Sequence, residues 1–411
     1  MIDDGYDLAI VGGGIGGGAL ATVMARAGYR VLMLEKSTVY RDLVRGEWMA
    51  PWGVVEAKRI GLYDDLIAAG GHHLSRHITY GDTTDPAEAE ANTLPIAALV
   101  PDIPGPLCIG HPAHCELLHG LSLAAGVTAL RGVTEISVTL GAEPSVTYTH
   151  DRRATTARSR IIVGADGRGS LVRRAAGIEL HRDPTHHLFS GLLIEDAHGF
   201  PEDLEVIGAE GDVHFLAFPQ GKGRIRLYLG YPADQPKRLT GDNSQREFLE
   251  AFRLKTFPGS EHLANATPAG PCHSYPNEDA WTDVPYAEGM VLIGDAAGWN
   301  DPIIGQGLSI TYRDVRIVSE ILRGADDWSP GAFAPYADER RERMRRLRFS
   351  AQIVSTMLNE FGDEARARRA RAFERQKANP MLALAQLAGL IGPDAAPAAA
   401  FEDSVREQLF E

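Results

Sequence analysis

Two short apolar runs separated by glycine open the chain. Residues 6–11 (YDLAIV) favour a buried strand, and a glycine-rich stretch over residues 12–18 follows. A helical pattern then ends at Gly28, and residues 30–35 (RVLMLE) favour a second buried strand. Strand, glycine turn, helix and strand in this order are typical of the βαβ unit that binds dinucleotides. The pattern therefore predicts an α/β fold beginning at the N-terminus.

The hydrophobic pattern changes twice further along the chain. Buried-strand character at residues 159–164 is followed, after residue 181, by runs typical of an antiparallel sheet, and it returns at residues 290–294. We therefore predict an α/β plus α+β protein whose first domain is discontinuous. The predicted division is a dinucleotide-binding domain at 1–80, 105–180 and 276–325, an inserted β-sheet substrate domain at 81–104 and 181–275, and a helical C-terminal region at 326–411.

Composition and charge restrict the partners. The chain has 411 residues, of which 44% are hydrophobic, and its formal net charge is −14. This charge opposes attraction to nucleic acid or to anionic lipid, and no apolar run approaches the ~20 residues that cross a bilayer. Three cysteines cannot form a disulfide framework. We therefore expect a cytoplasmic protein with small-molecule partners, no nucleic acid and no membrane, while the oligomeric state stays open.

The first candidate motif is Gly12-x-Gly14-x-x-Gly17, with Glu35 at the end of the next strand. One glycine makes the tight turn, one lets the backbone approach a pyrophosphate, and one lets the helix pack on the strand. A carboxylate about twenty residues on accepts from a ribose hydroxyl. The alternative is a glycine turn without a ligand, but the strand, helix and acidic residue all favour dinucleotide binding.

Two further motifs follow apolar strands. Residues 164–173 read GADGRGSLVR, where the Asp166-Gly167 pair indicates a turn that exposes amides and a carboxylate. Residues 294–298 read GDAAG, with Asp295 at a strand tip, and Pro302 precedes a helix start at residues 305–309. Such a helix start offers N–H donors to negative charge. Each motif is also compatible with an ordinary helix cap.

The three motifs together resemble the single-component FAD-dependent monooxygenases, whose type member is para-hydroxybenzoate hydroxylase. Their order and spacing match over about residues 6–322. The resemblance implies non-covalent FAD, NAD(P)H as co-substrate, and O2 activation as a flavin C4a-hydroperoxide. It also implies hydroxylation or epoxidation of an electron-rich aromatic or polyketide-like small molecule. Two alternatives stay open, namely a flavin-dependent reductase of prenyl or alkene groups and a non-catalytic FAD-binding module.

The resemblance also implies roles for individual residues. Pro302 would lie beside the flavin ring, and Arg45 would lie near its ribityl chain or ring edge; these two are the candidate catalytic residues. His111 takes the place of the usual Arg or Gln at a helix start and would face the FAD. The expected cofactor-binding residues are Gly12, Gly14, Gly16, Gly17, Glu35, Arg45, His111, Asp166, Asp295, Gly305, Gly307, Leu308 and Ser309.

Some residues differ from those usual in the family, and they affect the expectations for substrate binding and flavin motion more than those for FAD binding. Gly298 stands where the family usually has His, Ile304 where many members have Gly, and Ser309 where many have Asn. Weaker candidates for a substrate wall are Trp48, Arg226, Tyr228 and Trp299. For the two tryptophans, core packing between domains is an equally good explanation.

Two further clusters are assigned ordinary roles. His111, Cys115 and His119 form a helical stripe of residue types that bind metals, but no further ligand cluster completes a site, so we expect no metal. The arginine-rich tract at 339–346 offers i, i+4 pairs between Glu339 and Arg343 and between Glu342 and Arg346. We therefore expect this tract to be a solvated helix face.

Overall fold

A computed structural model describes residues 2–44, 46–236 and 238–411. Within these residues the first sheet has eight strands. Its central strands run parallel, and they are Ile2–Val11, Val31–Glu35, Thr128–Arg131, Arg153–Gly164 and Met290–Leu292. Antiparallel strands at Thr134–Thr139, Ser145–His150 and Tyr286–Ala287 extend it. The strand that opens the chain lies in the middle, since it pairs with Arg153–Gly164 on one side and Val31–Glu35 on the other.

The second sheet has seven strands and is mostly antiparallel. Its strands are Arg76–Gly81, His187–Glu195, Leu204–Glu210, Val213–Pro219, Ile225–Pro232, Thr267–Pro268 and His273–Asn277. Two three-stranded sheets are smaller, and they comprise Trp48–Met49, His72–His73 and Leu107–Cys108, and His181–Arg182, Ala280–Trp281 and Gly298–Trp299.

Helices cover the sheets and form the C-terminal region. The α-helices are Ile15–Arg26, Pro51–Arg59, Tyr63–Ala68, Pro86–Ala91, His111–Ala124, Leu171–Ala175, Ser244–Ala251, Ser260–Ala264, Gly307–Gly324, Ala334–Leu358, Asp363–Ala378, Leu384–Ile391 and Asp403–Phe410. Short 3₁₀ helices are Ile96–Ala98, Gly294–Ala297, Pro302–Ile304, Pro330–Phe333, Pro380–Ala383, Pro393–Ala395 and Ala398–Phe401. Within the described ranges, no helix combines the length and the apolar character needed to cross a membrane.

The predicted α/β plus α+β fold with a helical C-terminal region is confirmed by this architecture. One strand that was assigned to the first domain belongs instead to the second sheet. Arg76–Gly81 is hydrogen-bonded to Leu204–Glu210 in the second sheet, whereas the first domain was expected to extend to residue 80. The pairing is parallel and places His77 opposite Glu205. The division into domains stays a prediction.

The hydrophobic cores follow the sheets. One core lies between the first sheet and the helices Ile15–Arg26, His111–Ala124 and Gly307–Gly324. The second sheet buries one face against Ser244–Ala251 and Ser260–Ala264. Its other face carries Phe189, Leu216 and Tyr228, which pack toward Ile303 and toward Ala351 of the long C-terminal helix. This second face is therefore directed at the loop before helix Gly307–Gly324.

Candidate active site

One cavity of about 550 Å³ connects the glycine loop of the first sheet with the second sheet. Its polar end is lined by Gly14, Gly16, Gly167, Asp295 and Gly307, which come from all three sequence motifs. Its other end is lined by apolar and aromatic side chains of the second sheet, namely Phe189, Ile207, Leu216, Phe218, Tyr228 and Tyr275. A long ligand with a polar part and a flat apolar part fits this distribution.

The glycine loop is shaped as the sequence predicts. Gly12 has φ +103°, and a Cβ there would meet the Ala165 backbone, so this position requires glycine. A Cβ on Gly17 would collide with the Gly12 carbonyl oxygen, which explains the close packing of helix on loop. Gly14 is different, because a Cβ there would meet no protein atom within 4 Å. Since Gly14 lines the cavity, that open space fits a pyrophosphate.

Glu35 lies where the dinucleotide motif requires it. It is 8% exposed at the end of strand Val31–Glu35, and its two carboxylate oxygens accept from the Gly13 and Ser37 amides, both at 2.8 Å. These bonds fix the carboxylate beside the glycine loop. Each oxygen keeps a further lone pair with which a ribose hydroxyl could be bound.

The loop at Pro302–Leu308 forms the cavity wall between its two ends. Gly305 has φ +65°, and a Cβ there would lie 2.8 Å from the Trp48 ring. Gly307 begins an 18-residue helix, and a Cβ at this position would meet open space. The free N–H groups at this helix start therefore border the cavity, as a site for a developing negative charge requires.

Comparison with known protein families indicates which ligand the polar end of the cavity binds. The model of the FAD binding domain family matches residues 5–350. The chain belongs to this family. The predicted family, the FAD cofactor and the enzyme class of an FAD-dependent oxidoreductase are thereby confirmed.

Three similar proteins illustrate the family. The chain is 26% identical to 3-demethoxyubiquinol 3-hydroxylase of Escherichia coli (strain K12) over 84% of this chain and 87% of that protein. It is 29% identical to digeranylgeranylglycerophospholipid reductase 1 of Methanococcoides burtonii over 74% of this chain and 71% of that protein. The structure of Pseudomonas aeruginosa PqsL in complex with 2-aminobenzoylacetate shares the fold, with a TM-score of 0.72 at 22% identity, and the match covers 90% of this chain and 100% of that one.

Seven of the predicted cofactor-binding residues border the cavity, namely Gly14, Gly16, His111, Asp295, Gly305, Gly307 and Leu308, and so does the candidate catalytic residue Pro302. Gly12, Gly17 and Glu35 are not among the lining residues. Arg45 lies outside the described residues. Ser309 is fully buried, and its hydroxyl accepts from the Ala50 amide at 3.2 Å, so its side chain fixes helix Pro51–Arg59 instead of lining the cavity.

Asp166 differs from the expected role. One of its oxygens accepts from the Ser170 hydroxyl at 2.5 Å and the other from the Leu171 amide at 2.6 Å. The carboxylate thus caps the short helix Leu171–Ala175 and does not line the cavity. In the same motif, the buried Arg173 donates to the carbonyl oxygens of Ala296 and Arg168. Arg173 therefore holds the second motif against the third, whereas the bonds of Asp166 lie within the second motif.

Asp295 and Arg168 form a pair at the polar end of the cavity. Arg168 Nε lies 3.3 Å from Asp295 Oδ2, and the Arg168 guanidinium also lies over the Trp299 ring at 4.8 Å. Both residues of the pair line the cavity. The carboxylate is 37% exposed, so a bound FAD hydroxyl could reach it.

We expect Asp295→Ala to weaken FAD binding by about 1.5–3 kcal/mol, the value of a hydrogen bond to a charged group. Titration of apoprotein with FAD measures the change. Asp212→Ala, which removes an exposed carboxylate beside Arg238, is the control and leaves the affinity unchanged. Equal FAD affinity in wild type and Asp295→Ala would show that the carboxylate does not bind the cofactor.

The weaker substrate candidates separate into two groups. Trp48, Tyr228 and Trp299 line the cavity. Arg226 does not, because its buried guanidinium binds Glu47 at 2.5 and 2.9 Å and Asp42 at 2.7 Å. The prediction that Arg226 and Tyr228 lie two residues apart on one strand was correct. Its acidic partners Asp42 and Glu47, which are 184 and 179 residues away along the chain, hold the guanidinium away from the cavity.

The C-terminal helices supply cavity residues that sequence patterns did not predict. They are Val354, Met357, Leu358, Phe373, Ala383, Gln386, Leu387, Gly389 and Leu390. Gln306 joins this region to the loop Pro302–Leu308, which we name the flavin loop after its predicted role. Its side chain accepts from Trp52 Nε1 at 2.8 Å and donates to the Gly389 carbonyl at 3.0 Å. The signal in the sequence was the apolar spacing of these helices, which indicates burial but not what they bury against.

A second missed group is an ion cluster beneath the third motif. Asp314 is fully buried, and its carboxylate lies 3.2 Å from Arg340 Nε and 2.7 Å from Arg343 Nη2. It also accepts from the Gly294 amide at 2.8 Å. The expected pair of Glu339 with Arg343 is present, but Arg340 and Arg343 are each only 1% exposed. The prediction of a solvated face was therefore wrong for these two arginines.

Asp279 accepts hydrogen bonds at the start of the flavin loop, and its pKa is raised. It accepts from Asn300 Nδ2 at 2.6 Å and from the Asp301 amide at 2.9 Å. Burial, with the charge of Asp301 second, raises the pKa of Asp279 from 3.8 to about 7. Folding therefore favours its protonated form.

We expect this shift to appear as a pH dependence of stability. Because the folded pKa exceeds the unfolded one, the contribution is complete below pH 3.8 and is lost as pH rises through about 7. Urea unfolding of wild type and Asp279→Asn, from about pH 5 to about pH 8, measures it. The wild type loses stability relative to the variant over this interval, and parallel profiles would contradict the assignment.

Proposed function

We propose that this protein is a monooxygenase that uses NAD(P)H and O2 to hydroxylate or epoxidise an electron-rich aromatic or polyketide-like small molecule. The observation that carries the proposal is one continuous cavity, which joins the FAD-binding glycine loop to an apolar, aromatic-lined chamber on the second sheet. Bound FAD would supply electron transfer and O2 activation. The chain must bind the reactants, orient them and keep water away.

The residues of the cavity match these three tasks. The glycine loop and Asp295 hold the cofactor's polar part, and the Gly307 helix start offers N–H donors to negative charge. Phe189, Leu216 and Phe218 provide a flat apolar wall for an aromatic ring. Ile303 and Ile304 lie between the two parts and help to exclude water from the reacting atoms.

The similar proteins support the substrate class. One is named a hydroxylase of 3-demethoxyubiquinol, and PqsL was solved with 2-aminobenzoylacetate. Both names describe small ring-containing molecules, which suit the aromatic wall of this cavity. One similar protein is named a reductase, and that activity requires no oxygen insertion. The experiment must therefore also distinguish a reductase from a monooxygenase.

Turnover under ¹⁸O2 distinguishes these activities. The FAD-loaded protein is incubated with NAD(P)H and a panel of aromatic and polyketide-like compounds, and the products are analysed by mass. We expect O2 consumption equal to NAD(P)H oxidation and one ¹⁸O atom in the product. Turnover under strict anaerobiosis, with a product two hydrogens heavier, would establish a reductase. A protein that binds FAD but oxidises no NAD(P)H with any compound would be a non-catalytic module.

A further inference from the structure

Two buried acidic residues, Asp279 and Asp301, lie directly before the flavin loop and are here called the acidic pair. They are 4% and 3% exposed. Asp279 Oδ1 accepts from Asn300 Nδ2 at 2.6 Å and from the Asp301 amide at 2.9 Å. Asp301 Oδ1 in turn accepts from the Ile303 amide at 2.9 Å and so caps the 3₁₀ helix Pro302–Ile304. The two carboxyl groups therefore hold the backbone where the flavin loop begins.

Little positive charge is available to balance the acidic pair. The titratable and charged groups around it are His187 of the second sheet, Arg348 of helix Ala334–Leu358, and two loop residues that also face Arg348, namely Asp183 and Asp283. Among the described residues, Asp279 forms no ion pair, and Asp301 forms one, with His187 Nε2 at 3.4 Å. Two carboxylates that lie close together in a buried site each disfavour ionisation of the other. One proton on the pair is therefore favoured.

The hydrogen bonds indicate which carboxyl group holds this proton. The Ile303 amide donates to Asp301, and an N–H donor favours the charged form of a carboxyl group. Asp279 accepts both of its hydrogen bonds at Oδ1, which leaves Oδ2 available to carry a proton while Oδ1 continues to accept. Burial, with the charge of Asp301 second, accordingly raises the pKa of Asp279 to about 7. Asp279 is therefore the member of the pair that exchanges a proton near neutral pH.

Asn300 connects this proton site to the cavity. Its Oδ1 is buried and has no hydrogen-bond partner among the described residues, while its Nδ2 already donates to Asp279. A proton on Asp279 Oδ2 provides an O–H donor beside this amide, and a carboxylic acid and a primary amide can form two hydrogen bonds at once. Asn300 also lines the cavity. Only one side chain therefore separates Asp279 from the space in which FAD binds.

We propose that Asp279 is a positioning residue that takes up one proton when bound FAD is reduced and negative charge develops in the cavity. The step is a protonation alone, in which a solvent proton forms an O–H bond on Oδ2 and no electron passes to or from the side chain. The protonated acid holds Asn300 and the start of the flavin loop without adding charge there. A charged Asp279 would oppose negative charge at the Gly307 helix start. The proposal needs bound FAD but no oxygen insertion, so it goes beyond the proposed function and holds for a reductase as well.

The reduction potential of the FAD-loaded protein, measured from about pH 6 to about pH 9 without substrate, tests the proposal. Asp279→Asn is the decisive variant, because its amide keeps the hydrogen bonds of the protonated acid and cannot lose a proton. At the acidic end both proteins are neutral at this position, so their potentials should agree. At the alkaline end the charged Asp279 should lower the wild-type potential by about 30 mV relative to the variant. That difference is a 10-fold change in proton affinity, converted for a two-electron couple.

A spectroscopic measurement identifies the group that binds the proton. The infrared difference spectrum of reduced minus oxidised protein at about pH 8 should show a band of a protonated carboxyl group, which Asp279→Asn lacks. Asp212→Asn is the matched control, since it neutralises an exposed carboxylate beside Arg238, and it should behave as wild type. His187→Gln removes the other titratable group that faces the acidic pair. It should keep the pH dependence of the wild-type potential.

Parallel potential curves for wild type and Asp279→Asn would overturn the proposal, and they are what a merely structural role of Asp279 predicts. A wild-type infrared spectrum without the carboxyl band would overturn it too, whatever the variant does. So would a pH dependence that is lost in His187→Gln and kept in Asp279→Asn, because the proton would then reside on His187. Failure of ¹⁸O insertion would refute the proposed activity alone, whereas parallel curves would refute the proton site alone.

Discussion

We expect Gly14→Val to produce a folded protein that cannot hold FAD. The backbone of Gly14 has φ −73° and ψ −160°, which valine adopts without strain. A Cβ there meets no protein atom within 4 Å, so the side chain enters the cavity where the pyrophosphate would lie. The fold therefore tolerates the change and the cofactor does not. FAD affinity should fall at least about 100-fold, equivalent to about 2.8 kcal/mol.

The measurement combines a spectrum of the purified protein with FAD titration and thermal unfolding of the apoprotein. Wild type should purify yellow, and Gly14→Val should be colourless with an unchanged apoprotein melting temperature. Gly120→Val is the control, because Gly120 also has open space at its Cβ position but lies outside the cavity. A yellow Gly14→Val protein with wild-type affinity would show that the pyrophosphate is held elsewhere.

The cofactor half of the site was predictable from the sequence because its rules are local. A glycine must stand where φ is positive or where backbones meet, and Gly12 and Gly17 fulfil these conditions within a few residues of one another. A carboxylate at the end of the next strand must lie beside the loop, and Glu35 does. Such requirements follow from the geometry of one βαβ unit, so no distant contact is needed to recognise them.

The substrate half depends on contacts between distant segments, which the patterns could not supply. Alternation correctly placed Arg226 and Tyr228 on one face of a strand, but Asp42 and Glu47 decide that the guanidinium is buried in an ion pair. His77 and Glu205 are 128 residues apart and meet only because their strands pair in parallel. Likewise, the motif around Asp166 predicts a ligand-binding residue, but the hydrogen bonds of Asp166 are those of a helix cap.

The arginine tract shows the same limit within one helix. The spacing of Glu342 and Arg346 predicted a pair, and their atoms lie 2.6 Å apart. Spacing could not show that Arg340, on another side of the helix, reaches Asp314 and the carbonyl oxygens of Ala297 and Gly298. These bonds connect the C-terminal helix Ala334–Leu358 to the third motif. The helical region is thus part of the framework that holds the third motif.

We expect Asp314→Ala to cost about 3–5 kcal/mol of folding free energy, because it leaves two buried guanidinium groups without their shared counter-charge. The two nearby arginines hold the pKa of the Asp314 carboxyl below its usual value despite its burial, so the group is charged at neutral pH. The Gly294 amide also loses its acceptor, and we expect FAD affinity to fall with stability. Urea unfolding and FAD titration measure the two effects.

Asp314→Asn distinguishes charge from hydrogen bonding at this position. Its amide oxygen can still accept from Gly294, but it cannot balance Arg340 and Arg343, so most of the stability loss should remain. Asp338→Ala, which removes an exposed carboxylate beside Arg341 on the same helix, should change stability by less than about 0.5 kcal/mol. A loss below about 1 kcal/mol in Asp314→Ala would mean that water reaches the arginines and replaces the carboxylate. The helix Ala334–Leu358 would then be held against the third motif by its apolar contacts and by the hydrogen bonds of Arg340 to the Ala297 and Gly298 carbonyl oxygens.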